Sequence, residues 1–331
     1  MPPTEPYSQI DLYGPRLPNR LMRYYGTLDR GRNVFYLSNG VVTETDPDSV
    51  SVFWEQSDGS PYVLRVWYGG HHGGKVSAAE QTALEAAGYT VETRYLSLAG
   101  VENCFAYTPN SAKVQVDGVL DVRAHVALDE WIRPFDSSSL GNQVLMAQRD
   151  DTKSDSNGGG NSYEFTVLHN LATPPGGFRS RCITTAGTAT LGVSSVAPTV
   201  ADGVALWVRL VRQLDGTFIF YTAPSSIDEP SVWTQLGESQ TGVAGQLMKT
   251  TSSLFVGARL AFKTATDGLA GLPYRTVEEA AGKFYRVLLY DGDTVVADFD
   301  PDDAFTVDER SWVSKTGEQW FLVGDASLAV S

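Results

Sequence analysis

Short runs in which apolar and polar residues alternate recur along this chain. In 119–128, VLDVRAHVAL, the residues Leu120, Val122, Ala124, Val126 and Leu128 fall on one side and Asp121, Arg123 and His125 on the other. That period of two belongs to a β-strand with one buried face. Further strands are predicted at 143–149, 162–170, 178–185, 204–213, 217–223, 252–261, 283–292, 294–300 and 318–324. Glycine, aspartate and asparagine punctuate them, and 277–282, VEEAAG, is the clearest helix-like patch. Many short antiparallel strands with turn signals predict a two-sheet sandwich or barrel. No repeat of fixed period accompanies them.

The first third reads differently. Residues 1–20 hold Pro2, Pro3, Pro6, Pro15 and Pro18. Proline lacks the amide donor and resists helices and central strands, so this stretch is an extended arm. Its apolar groups Tyr7, Ile10, Leu12, Tyr13 and Leu17 suit attachment to a neighbouring protein. Residues 21–68 alternate again, with a hairpin turn at Ser38-Asn39-Gly40 and strands at 49–56 and 61–70. Ser77 followed by Glu80 is a capping box. Ala79, Ala83, Leu84 and Ala87 follow at helical spacing and Gly88 closes the run, which predicts a short helix over 77–87. The expected organisation is an arm (1–20), a small β-rich attachment module (21–105) and a β-sandwich (106–331).

Charge narrows the partners. The net charge is −14, from 39 acidic against 25 basic residues. Nucleic-acid backbones and anionic membranes both call for clustered Lys and Arg, so neither is an expected partner. No apolar run reaches the roughly 20 residues of a membrane span, and no apolar segment follows Met1 in the manner of a secretory signal. Cys104 and Cys182 are too few for a disulfide framework and read as two reduced thiols.

Several strings carry a family resemblance in chain order. DVRAHVALDEW begins at Asp121, WVRLVRQLDGTFIFYTA spans 207–223, WTQLGE begins at Trp233, and GKFYRVLLYDGDTVVADFDP spans 282–301, with TGEQWFLVGDASL after it. Together they resemble a laminin-G-like, concanavalin-A-type jelly roll, the lectin-like domain of minor tail proteins of tailed phages that infect actinobacteria. GRNVFYLSNGVVTE and WYGGHHGGKVSAAEQTALEAAGY resemble a short module that recurs in the same virion proteins. The resemblance spans roughly residues 20–331. It implies a mainly β virion structural protein that is assembled in the host cytoplasm. Its partners would be other virion proteins of tail or capsid, further copies of itself, and a host surface glycan. The family brings no catalytic residues. A capsid decoration or head-fibre protein and a glycan depolymerase on the same fold are the alternatives.

The candidate chemistry is sparse. In Gly69-Gly70-His71-His72-Gly73-Gly74-Lys75 the lysine is followed by Val76, so a phosphate-binding P-loop fails. Adjacent histidines on an extended chain point to opposite sides, which leaves this block as a strand-to-helix turn. Asp150, Asp151, Asp155 and Asn157 offer oxygen ligands of the kind calcium takes, the one cofactor for which the sequence supplies ligands. The same residues also make a solvated hairpin loop, and both readings stay open. Acidic density at 298–303, DFDPDD, offers calcium ligands or a proline-turn exit. A glucanase on this fold would show acids at alternate strand positions. The nearest string, Glu44-Thr45-Asp46-Pro47-Asp48, lies in the wrong module and contains a proline, so the chain reads as a non-enzyme. Trp131, Trp233 and Trp312 lie near strand ends, where an exposed ring could stack on a sugar.

Overall fold

The structure is a computed structural model. It describes residues 94–135, 141–151, 160–262, 274–304 and 307–330, together with the backbone of strands between residues 26 and 91. Those early strands are β1 (Gly26–Asp29), β2 (Val34–Leu37), β3 (Gly40–Asp46), β4 (Ser49–Glu55), β5 (Pro61–Trp67) and β6 (Thr90–Val91). They join in chain order into one six-stranded sheet. The strands of the expected hairpin are present, with Leu37 opposite Gly40. The arm 1–20, including Tyr7, Ile10, Leu12, Tyr13 and Leu17, lies outside the described residues, as do the helix 77–87 and His71 and His72.

The rest is a β-sandwich of jelly-roll type, one of the two architectures the strand pattern predicts and the one the resemblance implies. Its strands are β7 (Arg94–Ala99), β8 (Phe105–Thr108), β9 (Leu120–Leu128), β10 (Gln143–Arg149), β11 (Asn161–Val167), β12 (Phe178–Ile183) and β13 (Ala189–Val193). They continue with β14 (Leu206–Arg212), β15 (Thr217–Pro224), β16 (Thr234–Gln235), β17 (Gln240–Thr241), β18 (Leu254–Val256), β19 (Arg259–Phe262) and β20 (Tyr274–Val277). The last are β21 (Ala281–Asp291), β22 (Thr294–Phe299), β23 (Ser311–Val313), β24 (Gln319–Val323) and β25 (Ser327–Val330). One sheet has eight strands in the order β13-β12-β11-β10-β18-β8-β24-β23. The other has nine, along the path β16-β15-β14-β9-β21-β7-β25, with β17 beside β15 and β22 beside β21. Strands distant in sequence lie side by side, which only long crossovers can achieve.

The inner faces follow the sequence pattern. Leu120, Val122, Ala124, Val126 and Leu128 of β9 are all fully buried. Phe220 of β15 meets Phe165 of β11 and Phe178 of β12 across the sheet gap, with ring centres 6.3 and 6.2 Å apart. Burying each such ring contributes roughly 1.5–3 kcal/mol. Cys104 and Cys182 are both free and buried.

Two expectations are corrected. Arg94–Ala99, left by the sequence reading in the first module, is a sandwich strand between β21 and β25. The strands of the sandwich therefore begin at Arg94 and not after 105. The patch 277–282 is not helical. Glu278 has φ +57° and Gly282 has φ +135°. The peptide groups bond sideways instead: Ala280 N–H donates to Gly257 O at 2.8 Å, and Glu278 O accepts from Val144 N–H at 2.9 Å. The strands on either side satisfy the backbone before a helical turn could.

β19 and β20 form a separate two-stranded ribbon. Asp151 N–H donates to Leu260 O at 3.1 Å and ties this ribbon to the end of β10. That connection positions the site described next.

Candidate functional site

The period of two that buries Tyr163, Phe165 and Cys182 turns Glu164 and Arg181 to the opposite face of the eight-stranded sheet. Ala147, Glu164, Arg181 and Leu191 stand opposite one another in a row across β10, β11, β12 and β13. Arg149 and Arg179 lie two residues along from this row on the same face. The β19–β20 ribbon brings Arg259 and Glu278 over them. The result is a concavity of about 390 Å³, with Phe135, His169 and Leu191 also on its wall. That volume falls in the range of small-ligand sites, about 300–1,000 Å³.

Two glutamates form the floor, Glu164 at 0% and Glu278 at 1% exposure. Arg179 Nη2 donates to one oxygen of each, at 3.1 Å in both cases. Arg149 Nη1 donates to Glu164 Oε2 at 2.5 Å. Arg259 Nε donates to Glu278 Oε2 at 2.7 Å and lies 3.5 Å from Glu164 Oε2. Asn142 Nδ2 donates to Glu278 Oε1 at 2.6 Å. Burial alone would raise the Glu278 carboxyl. Attraction by Arg259 and then Arg179, with hydrogen bonds from Arg259 and Asn142, outweighs it and holds the group at about 2. Glu278 also keeps a left-handed backbone at φ +57°, a conformation that costs a non-glycine residue energy and that the surrounding contacts impose.

His169 stands at the rim. Its Nδ1 accepts from Leu171 N–H at 3.1 Å, and its ring lies 4.9 Å from that of Phe135. Burial lowers its pKa and Arg179 lowers it further, against the opposing pull of Glu278. The neutral tautomer that accepts at Nδ1 carries its proton on Nε2. Phe135 and Leu191 are apolar and exposed, at 42% and 54%.

The residues singled out from the sequence are distributed elsewhere. Trp131 and Trp312 are core residues, at 2% and 5% exposure, so neither ring offers a face to a sugar. Trp131 is covered because the end of β9 folds against 202–204: its N–H donates to Asp202 Oδ1 at 2.7 Å. Trp312 packs on Phe299 with ring centres 5.5 Å apart. Trp233 is half-buried, edge-on to Trp207 at 6.2 Å, with the Arg209 guanidinium 5.5 Å over its ring.

The proposed calcium set divides in the same way. Asp150 is buried in a bridge to β19. Asp151 pairs with Arg149 at 2.8 Å and with Arg259, so a cation there would have to displace two guanidinium groups. Asp155 and Asn157 lie outside the described residues. Among the described residues no cluster of His, Cys, Asp and Glu is arranged to hold a metal. The acids of 298–303 work internally. Arg286 donates to both oxygens of Asp298, at 3.0 and 2.6 Å. Lys315 lies 3.5 Å from Asp303, whose carboxyl is pushed well up by burial and by Asp300. Glu44 and Asp46 fall on β3, and their side chains are outside the described residues, as is Asp48.

The outer face of the nine-stranded sheet is aromatic. His125 stacks on Trp207 at 5.0 Å and lies 4.7 Å from Tyr285. The segment after β15 covers this row: Ser225 Oγ lies 2.8 Å from His125 Nε2, and Ser226 O accepts from Trp207 Nε1 at 2.9 Å.

No family model matches the chain, and no curated protein matches it. Solved structures do. A heptameric SAP-like pentraxin from Limulus polyphemus aligns with 12% identity and TM-score 0.32 over 60% of this chain and 76% of that one. Domains LG4-5 of the mouse laminin α1 chain align with 10% identity and TM-score 0.32 over 62% of this chain and 44% of that one. The binding domain of Paraclostridial Mosquitocidal Protein 1 aligns with 8% identity and TM-score 0.35 over 57% of this chain and 39% of that one. The chain thus spans less than half the length of the latter two. Likeness at this level assigns no ligand to this chain.

Proposed function

We propose that this chain is a structural protein of a phage virion, of the minor-tail class, whose sandwich is a lectin-like domain that binds a saccharide of the host surface. The basin on the eight-stranded sheet is the observation that carries the binding role. It joins buried, fully hydrogen-bonded carboxylates, guanidinium groups and an apolar rim, the mixture that a sugar's hydroxyls and ring face require. The virion role is supported by the resemblance of 282–301 and of the early module, and the tail, the particle and self-association all belong to this proposal.

The same geometry speaks for binding over cleavage. A glycosidase needs one carboxyl that is protonated at working pH and free to reach the glycosidic oxygen. Glu278 is held ionised by Arg259 and Arg179. The oxygens of Glu164 are taken by Arg149 and Arg179.

The test has two parts. Mass spectrometry and antibody labelling of purified particles should find the protein on the tail. A glycan array probed with the full chain should give binding that Arg179→Ala abolishes. An array with no positive, or a protein absent from particles, would overturn the corresponding half. Deletion of residues 1–19 should leave the melt near that of the full chain and lower occupancy in particles.

A further inference from the structure

Among the described residues, three of the four arginines on the basin wall have a carboxylate partner and one does not. Arg149, Arg179 and Arg259 are each paired to Glu164, Glu278 or Asp151. Arg181 is half-buried on the same wall, and its guanidinium makes no hydrogen bond or ion pair among the described residues. The register makes this unexpected, because Arg181 stands directly opposite Glu164 on the neighbouring strand. Opposite charges so placed normally pair. Glu164 is already spent on Arg149 and Arg179. On the other flank Arg181 faces Leu191, which has no charge to offer. In a chain with net charge −14, the described residues of the wall include four guanidinium groups and two carboxylates, with Asp151 as a third carboxylate behind Arg149 and Arg259.

We propose that the saccharide bound in this basin carries an anionic group, a carboxylate or a phosphate, which Arg181 receives. This rests on the saccharide-binding reading above and names the class of ligand. A guanidinium half-withdrawn from water with no counter-ion gains most from a charged acceptor, and its planar fork fits both carboxylate and phosphate oxygens. Phe135 and His169 supply a ring face at the rim for the apolar side of the sugar. The buried glutamates hold Arg149, Arg179 and Arg259 in place, which leaves the Arg181 guanidinium as the one on this wall whose donors are not already used by a carboxylate among the described residues.

The experiment is a nuclear magnetic resonance titration of the full chain with four probes: methyl glucuronide, its methyl ester, glucose 6-phosphate and glucose. The expected result is binding at least about tenfold tighter for an anion than for its neutral counterpart, with salt weakening the anion only. Preference in the first pair assigns a carboxylate, and preference in the second a phosphate. Arg181→Gln should bring each pair within about twofold and leave the melt unchanged, since the Arg181 side chain holds no partner among the described residues. Leu191→Glu places the missing counter-ion opposite Arg181 and should have the same effect. If neutral and anionic probes bind equally, or if Arg181→Gln keeps the preference, the proposal falls and the saccharide-binding reading stands. If none of the four binds, both fall.

Discussion

Replacing Glu278 by glutamine removes one negative charge from under the basin and keeps its shape. The carboxylate is 1% exposed and bonds to Arg259 at 2.7 Å, to Arg179 at 3.1 Å and to Asn142 at 2.6 Å. Its pKa falls from 4.5 to about 2 in the folded protein. At 1.36 kcal/mol per unit, that depression contributes roughly 3 kcal/mol of stability. Removing one partner of a buried ion pair gives the same order, about 3–5 kcal/mol. The sign is set by the direction of the shift. A depressed carboxyl stabilises fully above its unfolded value, here 4.5, and the contribution fades as pH falls towards about 2. Glu278→Gln should therefore be about 3 kcal/mol less stable at pH 7, and the gap should close between pH 4.5 and 2. In a sandwich of this size the gap corresponds to a melting difference of roughly 6–12 °C. Urea unfolding followed by tryptophan fluorescence is the suitable assay, because guanidinium chloride would screen the pairs under study. The other shifted acids, Asp303 upward and Asp215 and Glu318 downward, are common to both proteins and cancel in the difference. A gap that stays constant from pH 7 to pH 2, or no gap at all, would refute the reasoning.

Trp131→Ala and Trp312→Ala should each destabilise by about 3–5 kcal/mol, as core truncations do, whereas Trp233→Ala should cost less than half of that; thermal melts separate the two classes. Cys104 and Cys182 should resist a disulfide reagent in the folded protein and react in urea, because burial raises both thiols, Cys182 to about 11. Labelling of either at native pH 8 would contradict their burial. Gly192→Ala should cost about 1–3 kcal/mol, since a β-carbon there runs into the fully buried ring of Phe218; an unchanged urea midpoint would show that the ring can move aside.

The alternation in 119–128 was sufficient to identify β9, because each inward residue is aliphatic and each outward one polar or small. The segments 143–149, 207–212 and 283–291 were legible on a different signal, as short apolar-rich runs bounded by polar and turn residues. Arg94–Ala99 was not, since a six-residue run beside the cysteine-bearing turn gives no more signal than a strand of either module. Only its pairing with β21 and β25 assigns it. The patch 277–282 misled for a related reason. Its alanines and glutamates favour a helix locally, and long-range bonds to Gly257 and Val144 overrule a preference worth only a few tenths of a kcal/mol per residue. The basin was hidden more deeply. Glu164 and Arg179 lie in predicted strands at positions that period two turns outward, where charge reads as solvent-facing. Arg259 and Glu278 are about a hundred residues away, and no local pattern joins them. The one signal available was density of charge: Arg179 and Arg181 on a single short strand, with Glu164 in register on the next. The tryptophans erred in the opposite direction, because nearness to a strand end does not imply exposure when a loop folds back over it.

The two outer faces of the sandwich are finished differently, and the proposed recognition uses only one of them. On the nine-stranded side, Ser225 and Ser226 close over the His125–Trp207 stack, and Glu229 accepts from Tyr290 Oη at 2.7 Å and from Arg123. Every polar group named there has an internal partner, and the aromatic surface beneath Ser225 and Ser226 is spent on packing. On the eight-stranded side, the described part of the β19–β20 ribbon lies at one flank of the sheet, beside a concavity with exposed apolar residues on its rim. Charge acts at short range in this setting. Fields between exposed groups fade over about 8 Å at physiological salt, so the acidic balance of the chain as a whole does little inside a pocket walled by its own arginines. An anion that enters meets four guanidinium groups, three of them already held in place by buried carboxylates. The network below is therefore a scaffold whose arrangement is fixed before any ligand arrives. The cost of ordering those side chains is met in folding, so binding need order only Arg181.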